Sequence, residues 1–399
     1  MQKLWIASEL FYPEETSTSF ILTKIANKMA SKYTVNVVCG NPVYDKNRKS
    51  KSFILNHNVK VHRIKTISGN KNSLLFRSLR FLFLSFRIFL YLIRNVREGD
   101  RILIVTNPAP LIILISILKQ IKKVHVTILV HDVFPENTIP AKILYSEASI
   151  IYRILKHIFD FAYSKADQLI VLGRDMYKVL ERKTKRFKRR PFIRIIENWG
   201  DIHSIYPIPK DEIYKNHPPL KNKVVFQFAG NLGRVQGLKE LMEVIKNVNN
   251  NHIVFYFIGE GALKTEMMDM VTFYNISNVF FGDTYSRDKQ VEILNQADIS
   301  MVSLSAGMFG LGVPSKVYNI LAAGVPILYI GEENTEIDLL IKENDIGYSF
   351  QKSDHLLAFF NDVNQDFRED LYIKKNNSRK IAEKYFSEEV ILNKFYNSL

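Results

Sequence analysis

The alternation of apolar and polar positions predicts a chain built from repeated strand–helix units. Runs at Leu4–Ser8, Thr34–Cys39 (TVNVVC), Val59–Ile64 (VKVHRI), Arg101–Thr106 (RILIVT), Lys123–Val130, Gln168–Leu172 and Phe192–Glu197 read as strands. Several are continuously apolar, as expected of strands buried on both faces. Between them, Ser19–Ser31, the stretch LIILISILKQ after Asn107-Pro108-Ala109-Pro110, and Ser149–Lys165 carry helical spacing. Residues 199–222 hold Gly200, Pro207, Pro209, Pro218 and Pro219 without a strong period, which predicts a connector. The pattern then restarts. Strands are expected at Val224–Ala229 (VVFQFA), Val254–Ile258, Val279–Phe281, Ile299–Ser303 and Val325–Ile330, and helices at Leu238–Val248, Leu263–Tyr274, Asp288–Gln296, Lys316–Ala323 and Ser378–Asn397. Two such blocks predict an α/β protein with two doubly wound, Rossmann-like domains facing a cleft. The expected division is 1–198, a linker at 199–222, a second domain at 223–377 and a closing helix at 378–399. Ligands are expected at the carboxyl ends of the strands.

Composition narrows the class. Of 399 residues, 47% are apolar and 24% charged, which excludes a mainly disordered or collagen-like chain. The single cysteine, Cys39, excludes an internal disulfide and a Cys-rich metal site. The start, Met1-Gln2-Lys3 followed by Leu4-Trp5-Ile6-Ala7, reads as a first strand rather than a secretory leader, so a cytoplasmic location is expected. Charge is unevenly placed. Residues 1–200 hold 35 lysines and arginines against 14 acidic residues, a net of +21, whereas 201–399 are net −6. One half is therefore suited to an anionic partner.

Two glycine-rich turns carry candidate chemistry. Gly230-Asn231-Leu232-Gly233-Arg234-Val235-Gln236-Gly237 follows a strand and precedes a helix, so its amides can approach a phosphate with Arg234 and Lys239 nearby. A plain strand-to-helix turn is the competing reading. Gly307–Lys316 (GMFGLGVPSK) offers amides at Gly310 and Gly312, a helix start at Pro314-Ser315, and Lys316 in its first turn. A cation there opposes the helix dipole, which makes sense with an anion bound. Together the turns point to a nucleotide diphosphate. In the other half, His131, Asp132 and Glu136 follow a strand, where they could orient hydroxyls or move protons. A satisfied core histidine and a turn-capping aspartate fit the same residue types.

Leu74–Arg94 (LLFRSLRFLFLSFRIFLYLIR) is long enough to span a bilayer, but Arg77, Arg80 and Arg87 interrupt it. With Arg94 they fall on one helical stripe beside a Phe/Leu face, which suits an anionic membrane interface. A crossover helix with solvated arginines is the alternative. A second basic run, Arg182–Arg190, lies in the same half. No zinc-finger spacing or RNP-type motif accompanies it, so no nucleic-acid partner is expected.

Taken in order, Asn107-Pro-Ala-Pro110, His131-Asp-Val-Phe-Pro-Glu136, Asn198-Trp-Gly-Asp201, Ala229-Gly-Asn-Leu-Gly-Arg-Val-Gln-Gly237, Gly259-Glu-Gly261, Pro314-Ser-Lys-Val-Tyr318 and Ala322-Ala-Gly-Val-Pro326 resemble family 4 glycosyltransferases of GT-B fold. The resemblance spans nearly the whole chain. It is strongest to the O-antigen, colanic-acid and capsule branch, which includes L-fucosamine transferases.

The resemblance implies sugar transfer from a nucleotide donor, usually UDP-linked, with retention of configuration and no obligatory metal or other cofactor. It implies a polyprenyl-diphosphate-linked saccharide acceptor at the cytoplasmic face of the inner membrane. The donor is then expected on the second domain, at Gly230, Asn231, Gly233, Gln236, Gly310, Leu311, Gly312, Ser315 and Asn319, with uracil near the backbone of Asp283 and Thr284. Arg234 and Lys316 would stabilise the leaving diphosphate while His131 or Asp132 orients the sugar or the hydroxyl. The acceptor side is expected at Thr16, Ser17, Thr18 and Glu136. The chain departs from the family pattern in three places. Asn231 and Gln236 stand where many relatives have Arg and Lys. The E-x7-E carboxylates fall at Leu311 and Asn319, and Tyr12–Thr18 replaces a Gly-Gly turn. A GT-B sugar-nucleotide epimerase and an inactive membrane-surface scaffold are the alternative functions.

Overall fold

The structure is a computed structural model that describes residues 2–42, 54–67, 74–216, 222–364 and 366–399. The chain divides into two compact units. Unit 1 comprises residues 1–197, Gly310–Gly312 and Leu392–Leu399, and unit 2 comprises Asn198–Phe309 and Val313–Ile391.

Unit 1 is built from β1 (Lys3–Ser8), α1 (Ser17–Met29), β2 (Thr34–Gly40), β3 (Lys60–Ile64), α2 (Leu74–Asn95), β4 (Arg101–Val105), α3 (Pro110–Lys122), β5 (His125–Val130), α4 (Ile150–Lys165), β6 (Gln168–Val171), α5 (Arg174–Thr184) and β7 (Phe192–Ile195). Its parallel sheet runs β3-β2-β1-β4-β5-β6-β7. Strand order reverses at β1, where Ile6 pairs with Val37 on one side and Leu103 on the other. All three are fully buried, which explains the uninterrupted apolar runs.

Unit 2 repeats the plan. It contains α6 (Lys210–Asn216), β8 (Val224–Ala229), α7 (Leu238–Ile245), β9 (Ile253–Ile258), α8 (Lys264–Phe273), β10 (Val279–Gly282), α9 (Gln290–Gln296), β11 (Ile299–Ser303), α10 (Lys316–Ala322), β12 (Ile327–Ile330), α11 (Glu336–Asn344), β13 (Gly347–Phe350), α12 (Ser353–Asp362) and α13 (Phe367–Tyr385). The sheet order is β10-β9-β8-β11-β12-β13, all parallel. Phe226, Phe255 and Phe360 meet in its core with ring centroids 4.9–5.7 Å apart, in tilted and edge-to-face arrangements.

Three expectations need correction. The connector is not structureless: Lys210–Asn216 is the helix α6, while Pro218 and Pro219 lie outside the described residues. The expected single closing helix is two, α13 and α14 (Glu388–Ser398), parted at Phe386–Ser387, where Ser387 bridges Gly200. The end of α14 belongs to unit 1, where Lys394 pairs with Glu197 at 2.7 Å and Tyr33 donates to the Leu399 carbonyl.

The third correction concerns the arginine stripe. Arg80 is buried and ion-paired with Glu9, so it faces inward from α2. Arg87 and Arg94 are exposed, and Arg87 donates to the Lys65 carbonyl at 3.0 Å. The side chain of Arg77 lies outside the described residues. The outward row is apolar instead: Leu79, Leu82, Phe83 and Phe86. Helix α3 packs between α2 and α4. It exposes Ile117 and Ile121, and α4 exposes Ile150, Ile151, Ile154 and Ile158. Among the described residues, no helix is long and apolar enough to cross a membrane.

Candidate active site

In unit 2 the loops at the carboxyl ends of β8, β9 and β11 are tied together. The Gly230 N–H donates to the Ile258 carbonyl and the Leu232 N–H to the Glu260 carbonyl, both at 2.9 Å. A side chain at Gly259 would place its Cβ 2.0 Å from the Gly230 carbonyl oxygen, so only glycine permits this approach. On the other flank, the Ser303 hydroxyl donates to the Gln236 carbonyl and the Ser305 N–H to the Val235 carbonyl at 3.0 Å. Gly233 precedes a single 3-10 turn, Arg234–Gln236, and Asn231 and Arg234 are exposed on its surface.

Lys316 opens α10 after Pro314 and Ser315, as expected. Ser315 occupies the N-cap position without a side-chain cap bond. The Lys316 stem lies against Gly230, whose absent Cβ would sit 3.7 Å from the lysine Cδ. Its ammonium is buried, sits 3.2 Å from the centroid of the Phe228 ring, and has no hydrogen-bond partner among the described residues. Burial pulls its pKa well below that of an ordinary lysine. Asp283 and Thr284 follow β10 and are exposed, with the Asp283 carboxylate 3.9 Å from the Lys264 ammonium.

Asn319, three residues after Lys316, is engaged otherwise than expected. Its side-chain oxygen accepts the Asp201 N–H at 3.0 Å, so it fixes the Asn198–Asp201 segment.

In unit 1 the loop after β5 carries a different arrangement. The N–H groups of His131 and Asp132 both donate to the Thr106 hydroxyl at the end of β4, at 3.1 Å each. Burial holds His131 neutral, with its pKa lowered to about 4, and its Nε2 has no hydrogen-bond partner among the described residues. Burial also pushes the Asp132 carboxyl up to about 6. Gly310–Gly312 packs on this loop. The Val133 N–H donates to the Leu311 carbonyl at 3.0 Å, and a Cβ on Gly312 would lie 3.2 Å from the His131 carbonyl oxygen and 3.5 Å from the Asp132 carboxylate. Leu311 is buried. The Gly310 amide is already committed to the Asp175 carboxylate at 3.3 Å, so it is not an open donor for a diphosphate.

Two further expectations change here. Glu136 is locked between Lys183 at 2.7 Å and Lys156 at 2.8 Å, and Lys183 also pairs with Asp160 at 2.6 Å. It braces the loop rather than offering a free carboxylate. Thr16 caps α1, accepting the Ser19 N–H at 3.3 Å, while Ser17 is exposed and Thr18 half-buried at the start of that helix. Phe228, Thr106 and Asp175 have structural parts in these sites that local sequence did not mark. Each acts on a residue distant in the chain, which only the tertiary fold brings near.

The family described as glycosyl transferases group 1 matches residues 209–378. The probable glycosyltransferase WbjE of Pseudomonas aeruginosa is 33% identical over 397 residues, covering 99% of this chain and 97% of that protein. The chain belongs to the group 1 glycosyltransferases. A putative colanic acid biosynthesis glycosyl transferase, WcaI of Escherichia coli K12, is 26% identical over 211 residues, 51% of this chain and 50% of its own. Among solved structures, Anabaena HepE in complex with UDP aligns over 100% of this chain and 99% of its own, at a TM-score of 0.71 and 14% identity. WaaG, a glycosyltransferase involved in lipopolysaccharide biosynthesis, aligns over 98% of each chain at 0.67 and 13%. These likenesses show the fold, GT-B.

Proposed function

We propose that this glycosyltransferase moves a sugar, with retention of configuration, from a UDP-sugar to a polyprenyl-diphosphate-linked saccharide in the synthesis of a surface polysaccharide. Lys316 carries the donor half of this reading. A buried ammonium against a glycine-rich turn, with no acceptor among the described residues, is stabilised by the arrival of a diphosphate. The UDP bound in HepE supports the choice of nucleotide, and the description of WcaI supports polysaccharide biosynthesis.

In this reading Lys316 and Arg234 hold the departing diphosphate. The Gly230–Gly233 turn allows close approach, and the backbone at Asp283 and Thr284 meets the uracil. Asp132 accepts sugar or acceptor hydroxyls, with neutral His131 beside it. The bond from the anomeric carbon to the diphosphate oxygen breaks as the acceptor oxygen bonds on the same face. The acceptor proton passes to the departing phosphate oxygen, so no side-chain base and no obligatory metal are invoked. The apolar rows on α2, α3 and α4, in a half of net charge +21, support peripheral docking on the anionic cytoplasmic face of the inner membrane, where a lipid-linked acceptor resides.

Calorimetric titration with UDP, GDP and ADP without metal, on wild type and Lys316→Ala, tests the donor half. UDP-selective binding that weakens at least tenfold in the variant is expected. Absence of UDP binding to the wild type would overturn it. Conversion of a UDP-sugar without any acceptor would replace the transferase reading with an epimerase.

A further inference from the structure

The amino ends of β4, β5 and β6 frame a second recess in unit 1. It encloses about 540 Å3 and is lined by Lys119, Lys123, His125, Lys165, Asp167 and Arg189. His125 opens β5, whereas His131 follows its far end, six residues on. At ~3.3 Å per residue the recess lies about 20 Å from the loop that carries Asp132. Its volume falls in the usual range for small-molecule sites.

The charge in this recess does not balance. Asp167 is the one carboxylate in the lining. Its Oδ1 receives Lys119 at 2.5 Å and Arg189 at 2.7 Å, and its Oδ2 accepts the Val126 N–H at 2.8 Å. Lys119 is 9% exposed, so this pair is nearly closed to water. Lys123 reaches only Glu98, at 3.6 Å and on the surface, and Lys165 lies over the Phe161 ring. The Nδ1 of His125 is buried with no hydrogen-bond partner among the described residues. Burial, together with the neighbouring cations, disfavours the charged forms of Lys119 and His125. Helix C-termini attract cations, which accounts for Lys123 and Lys165 at the ends of α3 and α4. That attraction does not explain the unpartnered imidazole, and Asp167 alone faces both Lys119 and Arg189.

We propose that this recess binds the phosphate group of a ligand carrying at least two negative charges, separately from the donor site. The guanidinium of Arg189 can present paired N–H donors to phosphate oxygens, and Lys123 and Lys165 add point charges. The ligand supplies the counter-charge that Asp167 alone does not. A free phosphorylated compound and an anionic lipid headgroup share this chemistry.

The test uses the full chain at 0.15 M-range salt with UDP held at saturation, so that the donor site is occupied. Inorganic pyrophosphate is titrated calorimetrically into wild type and into Arg189→Gln/Lys165→Gln, whose positions reach the surface. One pyrophosphate site in the wild type, weakened at least tenfold in the double variant with UDP affinity unchanged, is expected. No pyrophosphate binding to the wild type, or equal binding to both proteins, overturns the proposal. Should UDP itself fail to bind, the donor reading falls, while the wild-type-to-variant difference for pyrophosphate still decides this one. Co-sedimentation with phosphatidylcholine vesicles containing phosphatidic acid, whose phosphomonoester carries up to two negative charges, separates the sources. Loss of vesicle binding in the variant, with release of wild type by pyrophosphate, assigns the phosphate to a lipid. Vesicle binding unaffected by either, alongside the calorimetric difference, assigns it to a soluble compound.

Discussion

Each unit of this molecule holds a charge-bearing group away from water with no ion-pair partner among the described residues, and the two groups have opposite sign. In unit 2 it is the Lys316 ammonium, set against Gly230 and the Phe228 ring. In unit 1 it is the Asp132 carboxyl, beside a neutral histidine, and no described residue forms an ion pair with it. Several other buried charges are paired. Glu9 takes Arg80, Glu136 takes Lys183, and Asp298 takes Lys210 at 3.2 Å. Burying a charge without its partner is costly, so such groups persist where a ligand completes them. The difference in sign divides the labour. In the proposed reading, unit 2 takes the anion and unit 1 the hydroxyl groups that donate to a carboxylate.

The sharpest way to break this comparison is to remove the cation. Lys316→Ala should lower turnover by about 10²- to 10³-fold, the range seen when a group stabilising developing negative charge is lost. Steady-state rates with a UDP-sugar measure it. An unchanged rate would take Lys316 out of the donor site.

Removing the opposite charge comes next. Asp132→Asn should lower turnover by about 10²-fold and, at pH 7.5, stabilise the fold by about 1–3 kcal/mol. The sign follows from the raised pKa. The folded state favours the protonated carboxyl, so this group's stabilising contribution is present below pH 3.8 and is lost as pH rises through about 6. Turnover should therefore rise with pH through about 6 in the wild type, and that limb should vanish in the variant. Thermal denaturation and a pH–rate profile check both parts.

The comparison extends to the surfaces of the units. Leu82→Ser/Phe86→Ser should reduce binding to anionic vesicles about tenfold while leaving UDP affinity unchanged, because both side chains are exposed on α2 of unit 1. Flotation assays read this directly, and equal flotation of variant and wild type would detach the apolar row from the membrane. The smallest effect concerns Asn319. Asn319→Ala should cost about 1 kcal/mol of stability through the lost bond to the Asp201 N–H and change turnover less than threefold. A large loss in UDP affinity instead would return Asn319 to the nucleotide.

The strands were legible because parallel strands covered on both faces are written as apolar runs with little interruption. β13 was not read, since its four residues are all half-buried at the sheet edge and give no such signal. The break between α13 and α14 was missed because helical spacing continues across it. The glycine-rich turn and the helix start at Lys316 were visible as residue types with restricted conformational uses. The partners of those residues were not. Nothing local announces that Arg80 reaches Glu9, that Lys183 reaches Glu136, or that Asp175 holds the Gly310 amide.

What the sequence determined by itself was therefore the two-block α/β plan, the uneven charge and the turns able to approach a phosphate, because each depends on short-range periodicity, composition or backbone freedom. Only the tertiary structure decided which charges are spent on the fold and which remain available. Four arginines on one predicted stripe became one buried ion pair, two exposed side chains and one outside the described residues. Lys316, which in sequence is one lysine among many, became a buried ammonium with no acceptor among the described residues. The physical reason is that compensating a charge takes a partner within a few ångströms, and for these residues that distance is set by the sheet rather than by separation along the chain.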